Sequence, residues 1–136
     1  MTAASRRRVP IPASALGAVT VGGAAGAIGR HGLATVLPDV AGGFPWTTLA
    51  VNVAGCFLLA LLPALPPVRR RPLLAPLLGA GVLGGFTTLS TYAEQTRALV
   101  SAGHQTLAAA YVLGTLAGCL LAVAAGSRLT ASRSNR

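Results

Sequence analysis

The stretch Gly84-Gly85-Phe86-Thr87-Thr88-Leu89-Ser90-Thr91-Tyr92 lies inside an otherwise apolar run from Leu73 to Val100. A run of that length reads as a membrane span, since about 20 apolar residues suffice to cross the hydrocarbon. In hydrocarbon every backbone N–H and C=O needs an internal partner. Paired glycines and four hydroxyl residues at that depth therefore predict a helix that breaks near Gly84, where protein or a water-filled path shelters it. Broken helices of this kind sit at ion sites. A second reading stays open, in which Thr and Ser bond back to the preceding turn and the glycines only permit close packing. On a helix, Thr87, Ser90 and Thr91 would share one face, with Leu89 and Tyr92 on another.

The composition agrees with a membrane setting. The 136 residues are 53% hydrophobic and only 10% charged, with a mean hydropathy of +0.67, which is too apolar for an ordinary soluble domain. The net charge of +9 does not point to nucleic acid. The basic residues fall between apolar runs, without a basic helix face or interleaved aromatic residues. Asp39 and Glu94 are the sole acids, and no nucleophile stands beside a base, so an enzyme is not expected. Cys56 and Cys119 have no C-x-x-C spacing and read as small buried hydrophobes.

Four spans are expected, giving an all-α membrane protein whose third helix is broken mid-membrane. The first runs from Ile11 to about Val36, too long for the apolar core of a signal peptide. It carries two small-residue pairs, Gly22/Gly26 and Ala25/Gly29, and ends near Arg30 and His31. A turn-rich linker, 38–45, leads to Trp46, an expected interfacial anchor. The second span, about Thr47–Leu65, contains Asn52, an amide that needs a partner in hydrocarbon and serves either as glue between helices or as a functional donor. Pro66, Pro67 and Arg69-Arg70-Arg71-Pro72 form a basic loop. The third span is about Leu73–Val100. The fourth, about Thr106–Ala125, places Tyr111, Thr115 and Cys119 on one face, beside a Gly114/Gly118 packing pair. The domain plan is thus a basic N-terminal tail 1–10, a transmembrane domain 11–126 and a basic C-terminal tail 127–136.

Four spans put nine arginines on one side: three in the N-terminal tail, three in the 69–71 loop, and Arg128, Arg133 and Arg136. Arg30 and Arg97 remain near the other. The positive-inside rule places both termini in the cytoplasm, with the chain in the cytoplasmic membrane.

Four motifs, in order, resemble those of the small bacterial fluoride channels, the Fluc or CrcB family. They are Gly22-Gly23-Ala24-Ala25-Gly26-Ala27-Ile28-Gly29-Arg30, Thr48-Leu49-Ala50-Val51-Asn52-Val53-Ala54-Gly55, the nine residues from Gly84 to Tyr92, and Tyr111 with Thr115. The resemblance covers all four spans. It implies an antiparallel dimer with two narrow pores, exporting fluoride from the cytoplasm. It also implies a structural sodium ion (Na+) at the dimer interface, held by backbone carbonyls that would here be Gly84 and Thr87. Pore-lining positions carried over are Asn52, Leu89, Ser90, Tyr92, Tyr111 and Thr115, with Arg30 in the vestibule. Fluoride is small and tightly hydrated, so its pore must replace water with donors and with the positive edges of aromatic rings.

The chain departs from the family pattern at Leu89, where the first of two phenylalanines is usual, and at Tyr92, where the second is. Leu has no ring quadrupole, which raises the alternative of a non-conducting partner subunit. The arginine bias points the same way. A homodimer of this kind needs one sequence that inserts both ways, as in dual-topology families, whereas this chain is biased to insert one way. A heterodimer with a paralogous subunit of opposite orientation is therefore favoured. A small multidrug transporter, the remaining rival, needs an embedded acid in its first helix, and none is there.

Overall fold

The computed structural model describes residues 11–134, and among these the chain is helix and turn with no strand. The expected N-terminal tail and Arg136 lie outside the described residues. Helix α1 spans Ala13–Val36 and ends just before Pro38, as the restriction on residues preceding proline requires. Helix α2, Trp46–Leu61, starts after Pro45 and tightens into a 3-10 turn, Leu62–Ala64. A short helix, α3 (Pro66–Arg70), carries Arg69 and Arg70.

Residues 74–86 form one rod, α4, with an α turn at Leu74–Pro76, wide π-helical turns over Leu77–Leu83 and an α turn at Gly84–Phe86. The chain is extended at Thr87 (φ −74, ψ 159) and resumes as α5, Ser90–Ser101. The interruption therefore lies at 87–89, close behind Gly84, which is itself helical. Helix α5 closes with Gly103 at φ +81. His104 N–H bonds Leu99 C=O at 2.9 Å and Gly103 N–H bonds Val100 C=O at 3.0 Å, a Schellman stop that only glycine makes without strain. Helix α6 then runs from Gln105 to Ser134, so residues 127–134 continue the helix.

Among the described residues, three helical stretches are long and apolar enough to cross a membrane: Trp46–Ala64, Leu74–Ser101 and Gln105–Ala131. Helix α1 has the length, 24 residues, but its many glycines, Arg30 and His31 leave it less apolar than these three.

The glycines set how the rods pack. A Cβ on Gly22 would overlap the Leu77 carbonyl oxygen and one on Gly26 the Val82 carbonyl oxygen, while one on Gly85 would strike Gly23. Helix α1 therefore lies backbone to backbone against α4 and runs in the same direction. The second expected pair does not take part, since Ala25 is exposed and Gly29 only approaches the Phe86 ring, at 4.0 Å. Helices α2 and α6 also run in the same direction. A Cβ on Gly118 would lie 2.9 Å from Val53 and one on Gly126 2.7 Å from Ala60, whereas Gly114 faces open space. Between the pairs the direction reverses, because Gly55 meets Thr87 and Leu59 meets Gly79. The four rods thus alternate up and down. Close approach of this kind is how helices associate where burial of apolar surface supplies no drive.

Candidate functional site: the helix interruption and its groove

Where the α4–α5 rod opens, the peptide of Thr88 loses its helical partners, and Asn52 on α2 replaces them. Asn52 Oδ1 accepts from Thr88 N–H at 2.8 Å, and Asn52 Nδ2 donates to Thr88 C=O at 3.0 Å. A primary amide presents an acceptor and a donor side by side, which matches the N–H and C=O of a single residue left unpaired by the break. The second Nδ2 hydrogen has no partner among the described residues. Gly55, one turn along α2, makes room for the clamp, because a Cβ there would collide with the Thr87 methyl.

The hydroxyls divide their work. Thr87 Oγ1 bonds back to Leu83 C=O at 2.9 Å, as the second sequence reading anticipates. Buried Thr88 sits at the centre of a small network. Its Oγ1 accepts from Thr91 N–H at 3.1 Å, donates to Thr91 Oγ1 at 3.0 Å and lies 3.3 Å from Ser90 Oγ. Thr88 was not among the expected site residues. Its only signal was membership of the hydroxyl run.

Beside the clamp opens a groove of about 430 Å³, with α2 on one wall, α4 and α5 on a second and α6 on a third. Asn52, Thr87, Thr88, Leu89, Tyr92 and Thr115 line it, together with Gly84, Cys56 and Cys119. Thr115 is 5% exposed, and its Oγ1 is buried without a hydrogen-bond partner among the described residues. Leu89 is 77% exposed on the protomer, and Ser90 is exposed and outside the groove lining.

The remaining candidates lie to one side. Tyr111 is fully buried and is not part of the groove wall. Its ring meets Tyr92 at 5.2 Å and Phe44 edge-on at 5.5 Å, and its hydroxyl donates to Gln95 Oε1 at 2.9 Å. Gln95 Nε2 donates in turn to Asp39 Oδ2 at 3.1 Å. The Asp39 carboxylate also accepts from Thr47 N–H at 2.8 Å and from the Thr48 hydroxyl at 3.3 Å, where the dipole of α2 favours negative charge. Asp39 and Gln95 were missed in the sequence because their partners are distant in the chain. Arg30 reaches from α1 to the Gly85 carbonyl, Nε to O 3.4 Å, and borders a small cavity of about 30 Å³ with Thr48, Thr88 and Thr91. Glu94 pairs with Arg97 on the exposed face of α5.

A family model described as CrcB-like protein, Camphor Resistance (CrcB), matches residues 17–127. The chain belongs to the CrcB family. Among its relatives, the fluoride-specific ion channel FluC of Paracoccus denitrificans is 44% identical over 108 residues, covering 79% of this chain and 87% of the relative. The fluoride-specific ion channel FluC 2 of Nocardia farcinica is 39% identical over 127 residues, 91% and 90% of the two chains. FluC 2 of Streptomyces avermitilis is 46% identical over 103 residues, 72% of this chain, and the match spans 63% of that relative's length. The CrcB assignment and the three apolar helices make this a multi-pass membrane protein.

Proposed function

We propose that the chain is a subunit of a fluoride-specific ion channel that lets fluoride leave the cytoplasm across the cytoplasmic membrane, and that the groove is one side of its anion path. The observation that carries this is Thr115. A buried hydroxyl without a partner is unfavourable by about 1–3 kcal/mol, unless something that enters the groove uses it. Across the groove stands Asn52 with one N–H uncommitted. A small anion stripped of water needs donors of this kind in a dry setting. Ser90 lies next along the hydroxyl run, and Tyr92 presents a ring whose positive edge suits an anion. Tyr111 serves as the buttress behind Tyr92, and Arg30 as the positive charge of the vestibule. The relatives named as fluoride-specific channels supply the identity of the ion.

The groove is open, which fits half of an assembly. Four spans with both termini on one side are supported by the alternating rods and by the close packing of α1 along α4, and the arginine bias makes that side the cytoplasm. The face around the interruption supports an antiparallel dimer. No donor among the described residues is directed at the Gly84 or Thr87 carbonyl, and Gly84 is exposed. Bare carbonyls are not stable in lipid. They fit a resident sodium ion, because a hard monovalent cation is matched by uncharged oxygens. When bound, the ion would add positive charge beside an anion path. Leu89 supports a second reading, a non-conducting partner of a paralogous subunit, because the residue turned outward at the interruption has no ring.

The test is fluoride efflux from liposomes containing the chain, alone and with a subunit of opposite orientation, against Thr115→Val. Loss of one donor to an anion, about 1.5 kcal/mol or more, should lower flux about tenfold or more. Unchanged flux in the variant would remove Thr115 from the path. Absence of flux in every combination would remove the conducting role.

A further inference from the structure

Cys56 and Cys119 come from different helices, yet both face the same groove, on the stretch where α2 and α6 pack side by side. Cys56 lies one turn beyond Asn52 on α2, and Cys119 one turn beyond Thr115 on α6. Both fall between the two closest approaches of these helices, at Val53 with Gly118 and at Ala60 with Gly126. The backbones that carry the sulfurs are therefore held at a fixed spacing, and both side chains are half-buried rather than sealed.

We propose that Cys56 and Cys119 form a two-thiolate site for a soft divalent cation of the mercuric type. The residues around the pair select this class. No cluster of three or more His, Cys, Asp or Glu occurs among the described residues, so an ion that needs four ligands, such as zinc, finds too few. Hard cations prefer oxygen, whereas thiolates select soft metals.

Charge then separates the soft ions. The neighbouring groove residues Leu59, Leu83 and Leu116 are apolar. A monovalent soft ion on two thiolates would leave a net negative charge among them, which burial opposes. A divalent ion on two thiolates is neutral. Two S–H bonds break, two metal–sulfur bonds form, two protons leave to water, and nothing is oxidised or reduced. The bound ion would sit one helical turn from Asn52 and Thr115 and fill that end of the groove.

The site is tested by mercuric ion binding to the full chain in detergent, which requires no transport and so stands or falls separately from the channel assignment. Expected are one ion per chain, thiolate-to-metal charge-transfer absorbance and release of two protons. Either Cys56→Ser or Cys119→Ser should weaken binding by about 100-fold or more, because the second thiolate acts at high effective concentration. Two ions per chain, or unweakened binding in either variant, would overturn the proposal. Phenylarsine oxide, which joins two neighbouring thiols with loss of water, gives a check that needs no substitution. One adduct per chain that protects both cysteines from maleimide supports the pair, and full maleimide labelling of both after treatment refutes it.

Discussion

Replacing Asn52 with Ala removes both hydrogen bonds to the Thr88 peptide, at 2.8 and 3.0 Å, and supplies no substitute. The Thr88 N–H and C=O then stand unpaired in a buried position, since Thr88 is 9% exposed and Asn52 8%. Each orphaned group costs about 1–3 kcal/mol. Interhelical hydrogen bonds in membranes average only about 0.6 kcal/mol, because the unfolded chain finds other partners there. The interruption itself offers Thr88 no such alternative, so about 2–6 kcal/mol is expected for the pair. The measurement is unfolding of the purified chain in mixed micelles, combined with hydrogen exchange at the Thr88 amide. Asn52→Ala should unfold at lower denaturant, and its Thr88 amide should exchange about 30-fold faster or more, the factor that 2 kcal/mol implies. A variant that loses fluoride flux while stability and exchange stay unchanged would show that Asn52 is not a clamp and acts only on the ion.

The glycine contacts of α1 predict a sharp positional contrast: Gly26→Ala meets the Val82 backbone and should destabilise by about 1–3 kcal/mol, whereas Gly17→Ala, with nothing within 4 Å, should be neutral or slightly stabilising by unfolding titration. Leu89→Phe restores a ring at the exposed edge of the interruption and should raise fluoride flux in liposomes; no gain would exclude residue 89 from the conduction path. For orientation, a C-terminal reporter active only in the cytoplasm should give strong signal and one active only outside none. Equal signal from both would defeat the heterodimer and favour a chain that inserts both ways.

Much of the site was legible because its signals are local. An amide in an apolar run, and glycines leading a hydroxyl run, each stand out within a few residues, and both fall where Asn52 meets Thr88. The break falls at 87–89 rather than at Gly84 itself for a physical reason. Glycine marks where a helix is free to open, but Thr87 N–H still reaches Leu83 C=O at 2.9 Å, so the rod holds through Phe86. It opens at Thr88, where Asn52 offers a partner from outside. Asp39 looked like a linker acid because its role depends on Gln95 and the start of α2, which only the tertiary fold brings to it. Cys56 and Cys119 looked like isolated hydrophobes for the same reason, since sequence spacing says nothing about which helices become neighbours.

The two ends of the bundle are secured by different means. At one end Asp39, Thr47, Thr48, Gln95 and Tyr111 knot the 38–45 linker, α2, α5 and α6 together with hydrogen bonds. At the other, around Pro63, Pro66, Pro67, Pro72 and Pro76, no side-chain hydrogen bond joins the helices among the described residues, and the rod beyond them is wound in π turns. The molecule therefore has a mechanical polarity. Thermal loosening should begin at the proline end and travel toward the knot, so that opening fluctuations reach one mouth of the groove before the other.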